Sequence, residues 1–421
     1  MSFQQGLSGL NASSKNLEVI GNNIANANTY GSKVARAEFA AVYATSLNGA
    51  GTNLVGIGTA LQTVAQQFTQ GNVSTTGNPL DLAVNGPGFF QVTDGASPVT
   101  YTRNGQFKLD RDGFLVNNAQ DKLLGYAADS AGVIQPGRAV PLQLPTSGIE
   151  PSATTRAAME VNFDARKAVV PPSSPPIDYA DASTYNNATS MTVYDAKGQD
   201  VALNFYFQKT GTDTWDIYAT ANGSFVDPAG SNPPALAKIT TISFTSDGKT
   251  PTSPTGPVTL TIGQTTNSVG AQTVPITMDL DLSAATQFGS AFGITDLTQD
   301  GYSAGLLTKV AVEGNGIVMA HYSNGQSKPA GQIEIANFRN PQGLQPLGDN
   351  TWASSYTSGE PVVGVPGNGS LGVLQAGALE ESNIDLTGEL VNMITAQRVY
   401  QANAQTIKTQ DQMMQTLVNL R

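Results

Sequence analysis

The sequence predicts a mixed, multidomain fold: two mainly-β domains nested in sequence, plus an α-helical, coiled-coil-like module formed by the amino- and carboxyl-terminal helices. Three observations carry this. Apolar stripes at helical spacing occur at both ends of the 421-residue chain. The long middle alternates apolar and polar residues between turns rich in Gly, Asn and Asp. A proline-rich break separates two β regions, and the style of the first returns beyond Asp296. A chain of this length has room for about two to four domains with real cores.

The stretch from Asp385 to Arg421 carries the longest uninterrupted helical pattern. Leu386, Met393, Tyr400, Ile407 and Met414 recur every seven residues, with Leu390, Ala404 and Val418 on the adjoining row and Leu417 beside them. No Gly or Pro follows Gly388, so the segment would make a rod of roughly 55 Å. Its other face is filled with amides such as Asn392, Gln397, Gln401, Gln405 and Gln412 in place of Glu–Lys pairs. Amides tolerate enclosure by protein when their hydrogen bonds are met, so crowding on several sides is expected. An ordinary coiled-coil dimer, or packing on the chain's own domain, is the alternative.

At the other end Phe3, Leu10, Leu17 and Ile24 are also spaced by seven, with Leu7 and Ile20 beside them. Gly6, Gly9 and Gly21 weaken this helix by about 1 kcal/mol each relative to Ala, so it should form when packed. The carboxyl-terminal stripe is the matching surface. Residues 1–27 and 385–421 are therefore expected to make one helical module.

Residues 28–71 read as a connector. Asn22, Asn23, Asn26, Asn28 and Gly31 suit a helix end and turn, because Asn and Gly tolerate left-handed backbone angles. Phe39, Val42, Tyr43 and Leu47 suggest one short helix, interrupted by Gly49, Gly51, Gly56 and Gly58. Strand signals begin at Leu80: Leu80, Leu82 and Val84 alternate, and Asn85-Gly86-Pro87-Gly88 is read as a hairpin turn into Phe89–Val92. Turns at Asp94-Gly95, Asn104-Gly105 and Asp112-Gly113 imply further short strands. Asp110-Arg111-Asp112-Gly113 lacks the remaining ligands of a calcium loop and is read as a turn. The first β domain is placed at 72–146 and 296–372.

Pro141, Pro145, Pro151 and the run Pro171 to Pro176 mark an extended crossing. A second β domain, 147–295, is expected as an insertion, with a meander through Met191, Val193, Leu203, Phe205, Phe207 and Trp215. Crossings near 141–151 and 285–301 are candidate hinges. Residues 373–384 form a second connector, and Glu380, Glu381 and Asp385 are read as favourable charges near the start of the last helix.

Composition excludes much chemistry. Charged residues make up 13% and the net charge is -11, which argues against nucleic acid as partner. Cysteine is absent and His321 is the one histidine, which leaves no thiol nucleophile, disulfide, Cys/His zinc site or ordinary histidine triad. Gly314-Asn315-Gly316 is a turn and not a dinucleotide loop. No catalytic, metal or cofactor-binding residues are assigned. Neither a cleaved signal peptide nor an apolar stretch near 18 residues is present, so membrane insertion is not expected.

Several motifs carry a family resemblance. Asn23-Ile24-Ala25-Asn26-Ala27-Asn28-Thr29 with Gly31 and Lys33 resembles the amino-terminal signature of the rod and hook proteins of the bacterial flagellar axis, with Ser32 standing where an aromatic is usual. Pro79 to Val84, then Asn85-Gly86-Pro87-Gly88-Phe89-Phe90, Thr102-Arg103-Asn104-Gly105 and Asn340-Pro341-Gln342-Gly343-Leu344 are similar to the core domain of that family. Gly377 to Glu380, Ser382-Asn383 and Gln397 to Asn403 resemble its carboxyl-terminal signature. The inserted β domain resembles the hook members more than the shorter rod members. The resemblance implies a structural subunit of a curved, torque-transmitting helical homopolymer outside the cell. It further implies export through the flagellar type III apparatus without cleavage, and contact with hook cap, distal rod and hook–filament junction proteins. A distal rod protein and, further off, a secreted glycan-active enzyme are the alternatives.

Overall fold

In the computed structural model, residues 2–42, 56, 58–129, 131–171, 176–226, 237–267 and 269–419 are described. They divide into two compact units, one of 1–146, 309–321 and 327–421, the other of 147–308 and 322–326.

The first unit contains both long helices, α1 (Ser2–Asn26) and α2 (Leu386–Asn419). They run antiparallel: a Cβ on Gly6 would lie 3.1 Å from the Ile407 side chain and one on Gly9 2.9 Å from that of Asn403, while Asn23 meets Glu389. Two of the three glycines that weaken α1 therefore lie where α2 comes close, and Gly21 faces open space. Asp385 caps α2, its carboxylate accepting the Thr387 N–H at 3.1 Å.

The expected short helix after residue 35 is instead a strand. β1 (Ala35–Val42) pairs antiparallel with β2 (Gly58–Gln66) as a separate two-stranded ribbon. The Arg36, Glu38 alternation suits a strand, and β1 is held at its start by Asn23; Tyr43, Leu47, Gly49 and Gly51 of that expectation lie outside the described residues.

The expected hairpin at Asn85–Gly88 is also not formed. Leu82–Asn85 pairs with Val373–Ala376, whereas Phe89–Thr93 pairs with Thr100–Thr102, Lys122–Ala127 and Ile335–Asn337. Gly86 and Gly88 have φ of 110° and 139°, so the three-residue link Gly86-Pro87-Gly88 passes from one sheet into another where a turn would have folded it back. Side chains on successive strand residues point to opposite faces. Phe90 accordingly enters a core with Leu82, Phe107, Leu123, Val318 and Ile333, while Phe89 enters an aromatic cluster with Phe68, Phe338 and Trp352.

The second unit is a sandwich of two sheets sharing one core. The meander Asn187–Tyr194, Asp200–Lys209 and Thr214–Ala221 faces a sheet in which Arg156–Asp164 pairs parallel with Ile276–Asp281 and Thr286–Phe288 and antiparallel with Gly293–Gln299. Trp215 is fully buried and donates its indole N–H to Gln287 Oε1 at 2.9 Å across the sheets. The boundary expected at residue 295 falls inside the strand Gly293–Gln299, and much of the hinge expected at 285–301 is sheet. Gly289, Gly293 and Gly301 suggested a crossing there; backbone pairing to Arg156–Asp164 decides otherwise.

Candidate assembly interface

At the base of α1 the chain is tied by amides that act as strand ends. The Asn23 carboxamide accepts the Ala35 N–H at 2.9 Å and donates to the Ala35 carbonyl at 2.8 Å, and it reaches Glu389 Oε2 of α2 at 3.2 Å. Asn383 does the same from the other end of the sequence: it accepts from the Val34 N–H at 2.8 Å and donates to the carbonyls of Gln67 and Thr69. Thr29 donates its hydroxyl to the Asn26 carbonyl, and Asn26 donates to that of Asn22, so the helix end is closed by its own side chains.

Under this junction lies a buried ion triad. Lys33 Nζ and Arg103 Nη1 stand 2.6 and 3.1 Å from the two oxygens of Glu380, and the side chains of Lys33 and Glu380 are 0% exposed. Glu380 Oε1 also accepts the Gly71 N–H, Lys33 donates to the Thr69 carbonyl, and Arg103 donates to the carbonyls of Val84 and Gly86 while lying 5.2 Å over the Phe89 ring. Burial lowers the pKa of both Lys33 and Arg103, and the facing Glu380 carboxylate opposes that shift. Glu380 is thus not a helix-terminus charge as expected; it ends the strand Ala378–Glu380, ahead of α2, and is held by two cations of the amino-terminal half. Gly31 completes the seat, with φ of 72°, its N–H on the Glu380 carbonyl, and the Asn104 backbone 2.6 Å from where a Cβ would be.

The residues named from the sequence fall into two groups. Among the signature residues, Asn23, Gly31 and Phe89 are buried in this junction; Asn85, Gly86 and Gly88 form the link beside Arg103; Ala25 and Asn28 are exposed. Among the stripe residues, Ile20 is buried, and Leu10, Leu17, Ile24, Met393 and Ile407 are half-buried. Leu7, Leu386, Leu390, Tyr400 and Met414 remain exposed, as do Val391, Ile394, Val399, Met413 and Val418. The side chains of Phe3 and Leu417 lie outside the described residues. A groove of about 400 Å³ runs beside the pair, with Val19, Val34, Ala396 and Val399 on its walls. An isolated helical pair with this much apolar surface in water is unusual for a finished fold.

A protein described as "Flagellar hook protein FlgE" from Salmonella typhimurium is 43% identical over 423 residues, covering 100% of both chains. The chain belongs to the flagellar hook protein family. Members described in the same words from Escherichia coli and Borreliella burgdorferi are 40% and 32% identical, again over 100% of this chain and 100% and 99% of theirs. Residues 3–33 match the family described as "Flagella basal body rod protein", 83–166 the "Flagellar hook protein FlgE/F/G D1 domain", 162–302 the "Flagellar basal body protein FlaE D2 domain" and 375–420 the "Flagellar basal body rod FlgEFG protein C-terminal". The Helicobacter pylori hook protein FlgE2 has a similar fold, with a TM-score of 0.51 at 15% identity over 73% of this chain and 100% of that one. Within this hook family chain, the triad was the feature sequence reasoning missed. Its three members stood in the quoted motifs, and in a chain with only 13% charged residues a Lys, an Arg and a Glu inside such motifs were the available signal.

Proposed function

We propose that this chain is the building subunit of the hook, self-assembling into a curved helical tube through the exposed apolar faces of α1 and α2. The observation that supports this is the set of exposed apolar residues along α2, from Leu386 to Val418, on a helix whose remaining positions are largely amides. Such a surface is stable in water only when other subunits cover it. Assembly through it would stack the helical pairs firmly, while contacts made by the β sheets remain free to exchange as the tube turns. The role is structural and not catalytic; no cofactor, nucleic acid or membrane insertion enters it. Distal rod, hook cap and hook–filament junction proteins are the proposed neighbours at the tube ends. Export through the type III apparatus without signal cleavage is the proposed route to the cell exterior.

Removal of residues 386–421 tests this. The truncated chain should stay soluble and monomeric under precipitating salt, where the full chain forms curved tubes visible by electron microscopy. Tubes from the truncated chain would overturn the reading, and straight tubes from the full chain would turn it to the distal rod.

A further inference from the structure

Three surfaces compete for attention: the amide-lined cavity around Asn28, Tyr30 and Asn118, the exposed ribbon of β1 and β2, and the far end of α2. In the cavity Asn350 donates to the Tyr30 carbonyl and Asn118 to Gln106, so much of its polar lining is already engaged. The far end of α2 carries more.

The chain has eight methionines. Met159, Met191 and Met278 are buried in the second unit, and Met319 and Met393 are half-buried. Met413 and Met414 are adjacent and are 56% and 63% exposed. Their place in the helical pair explains this. Gly6 faces Ile407, so with antiparallel helices each step forward along α2 is a step back along α1. Met414 lies seven residues beyond Ile407, about 10 Å, whereas α1 extends only four residues beyond Gly6, to Ser2, about 6 Å. The two thioethers therefore sit where α2 overhangs its intramolecular partner, Met414 on the seven-residue stripe and Met413 adjacent to it.

We infer that Met413 and Met414 form an oxidation-sensitive modification site through which hydroperoxides control the assembly competence of the free subunit. This rests on the proposed role of α2 in polymerisation. The step is an oxygen transfer. The Sδ lone pair attacks the terminal oxygen of hydrogen peroxide, the S–O bond forms as O–O breaks, and the departing hydroxide takes the remaining proton to leave as water. Sulfur loses two electrons and peroxide gains them. The product sulfoxide is a strong acceptor with no hydrogen to donate, placed on a surface that assembly must desolvate, and burying it without a donor opposes assembly. Once the tube is built the pair is covered, so the free subunit and not the polymer is the vulnerable state.

The test uses the full chain treated with dilute hydrogen peroxide as monomer or after assembly, with peptide mass mapping and the critical concentration for salt-induced polymerisation as readouts. Sulfoxide should appear at Met413 and Met414 well before Met159, Met191 or Met278, and the critical concentration of oxidised monomer should rise about tenfold or more. Methionine sulfoxide reductase should reverse the rise, and preassembled tubes should resist labelling at the pair. The critical concentration of the M413L/M414L variant, whatever its untreated value, should not rise on exposure to peroxide. Oxidised wild-type protein that polymerises like untreated protein, or a doubly substituted variant that loses assembly on oxidation, would overturn the inference. Failure of untreated protein to polymerise would instead strike at the assembly role of α2.

Discussion

Glu380 is the side chain on which the first unit turns. It accepts from Lys33, Arg103 and Gly71 while none of its surface reaches water, so its charge is matched only inside the protein. Removing one partner of a buried ion group leaves the others desolvated and unpaired, at a cost of about 3–5 kcal/mol. Glu380→Gln should therefore destabilise the first unit by that amount, seen as a lowered urea midpoint for its transition with the second unit's transition unmoved. The exposed pair Lys15–Glu18, at 2.8 Å with side chains 56% and 60% exposed, is the control. Lys15→Ala should cost under about 1 kcal/mol, because solvent already screens that pair. Equal effects at the two sites would show that the buried triad adds nothing beyond a surface contact.

At the scale of elements, the glycines of α1 separate into those that make room for α2 and one that does not. Gly21 lies in the helix interior where a Cβ meets nothing within 4 Å. Gly21→Ala should raise the thermal midpoint of the monomer, by about 0.5–1 kcal/mol of stability, through helix propensity alone. A calorimetric midpoint that is unchanged or lowered would count against this. Both terminal helices were legible in the sequence because their heptads are long and unbroken, and the meander around Trp215 was legible because its strands alternate cleanly. β1 was not, since a few apolar residues interspersed with Ala fit a helix and a strand equally well, and only pairing with β2 decides. The false hairpin at Asn85–Gly88 had the same origin: turn residues announce a change of direction, but whether the chain returns or moves to another sheet depends on Val373–Ala376, nearly three hundred residues later. Of the assembly surface, periodicity located the stripes. It could not say which stripe residues α1 and α2 spend on each other and which, like Leu386, Leu390 and Met414, they leave outward.

For the molecule as a whole, the second unit, residues 147–308 with 322–326, has its own sandwich core, whose buried residues run from Ala157 to Ala285. Replacing 147–308 with a short flexible linker should leave polymerisation intact and change the curvature of the tubes, measured by electron microscopy. Tubes of unchanged curvature would remove the second unit from any part in bending. The two units also differ in how their sequence closes. The second is nearly continuous, whereas the first waits for its last segment: Leu82–Asn85 needs Val373–Ala376, Lys33 and Arg103 need Glu380, and Val34 needs Asn383. A chain delivered amino end first can therefore complete the sandwich while its leading hundred residues still lack partners. The junction at Glu380 then sets an order of completion: the continuous unit can close by itself, whereas the split unit is sealed last, by residues 373–383.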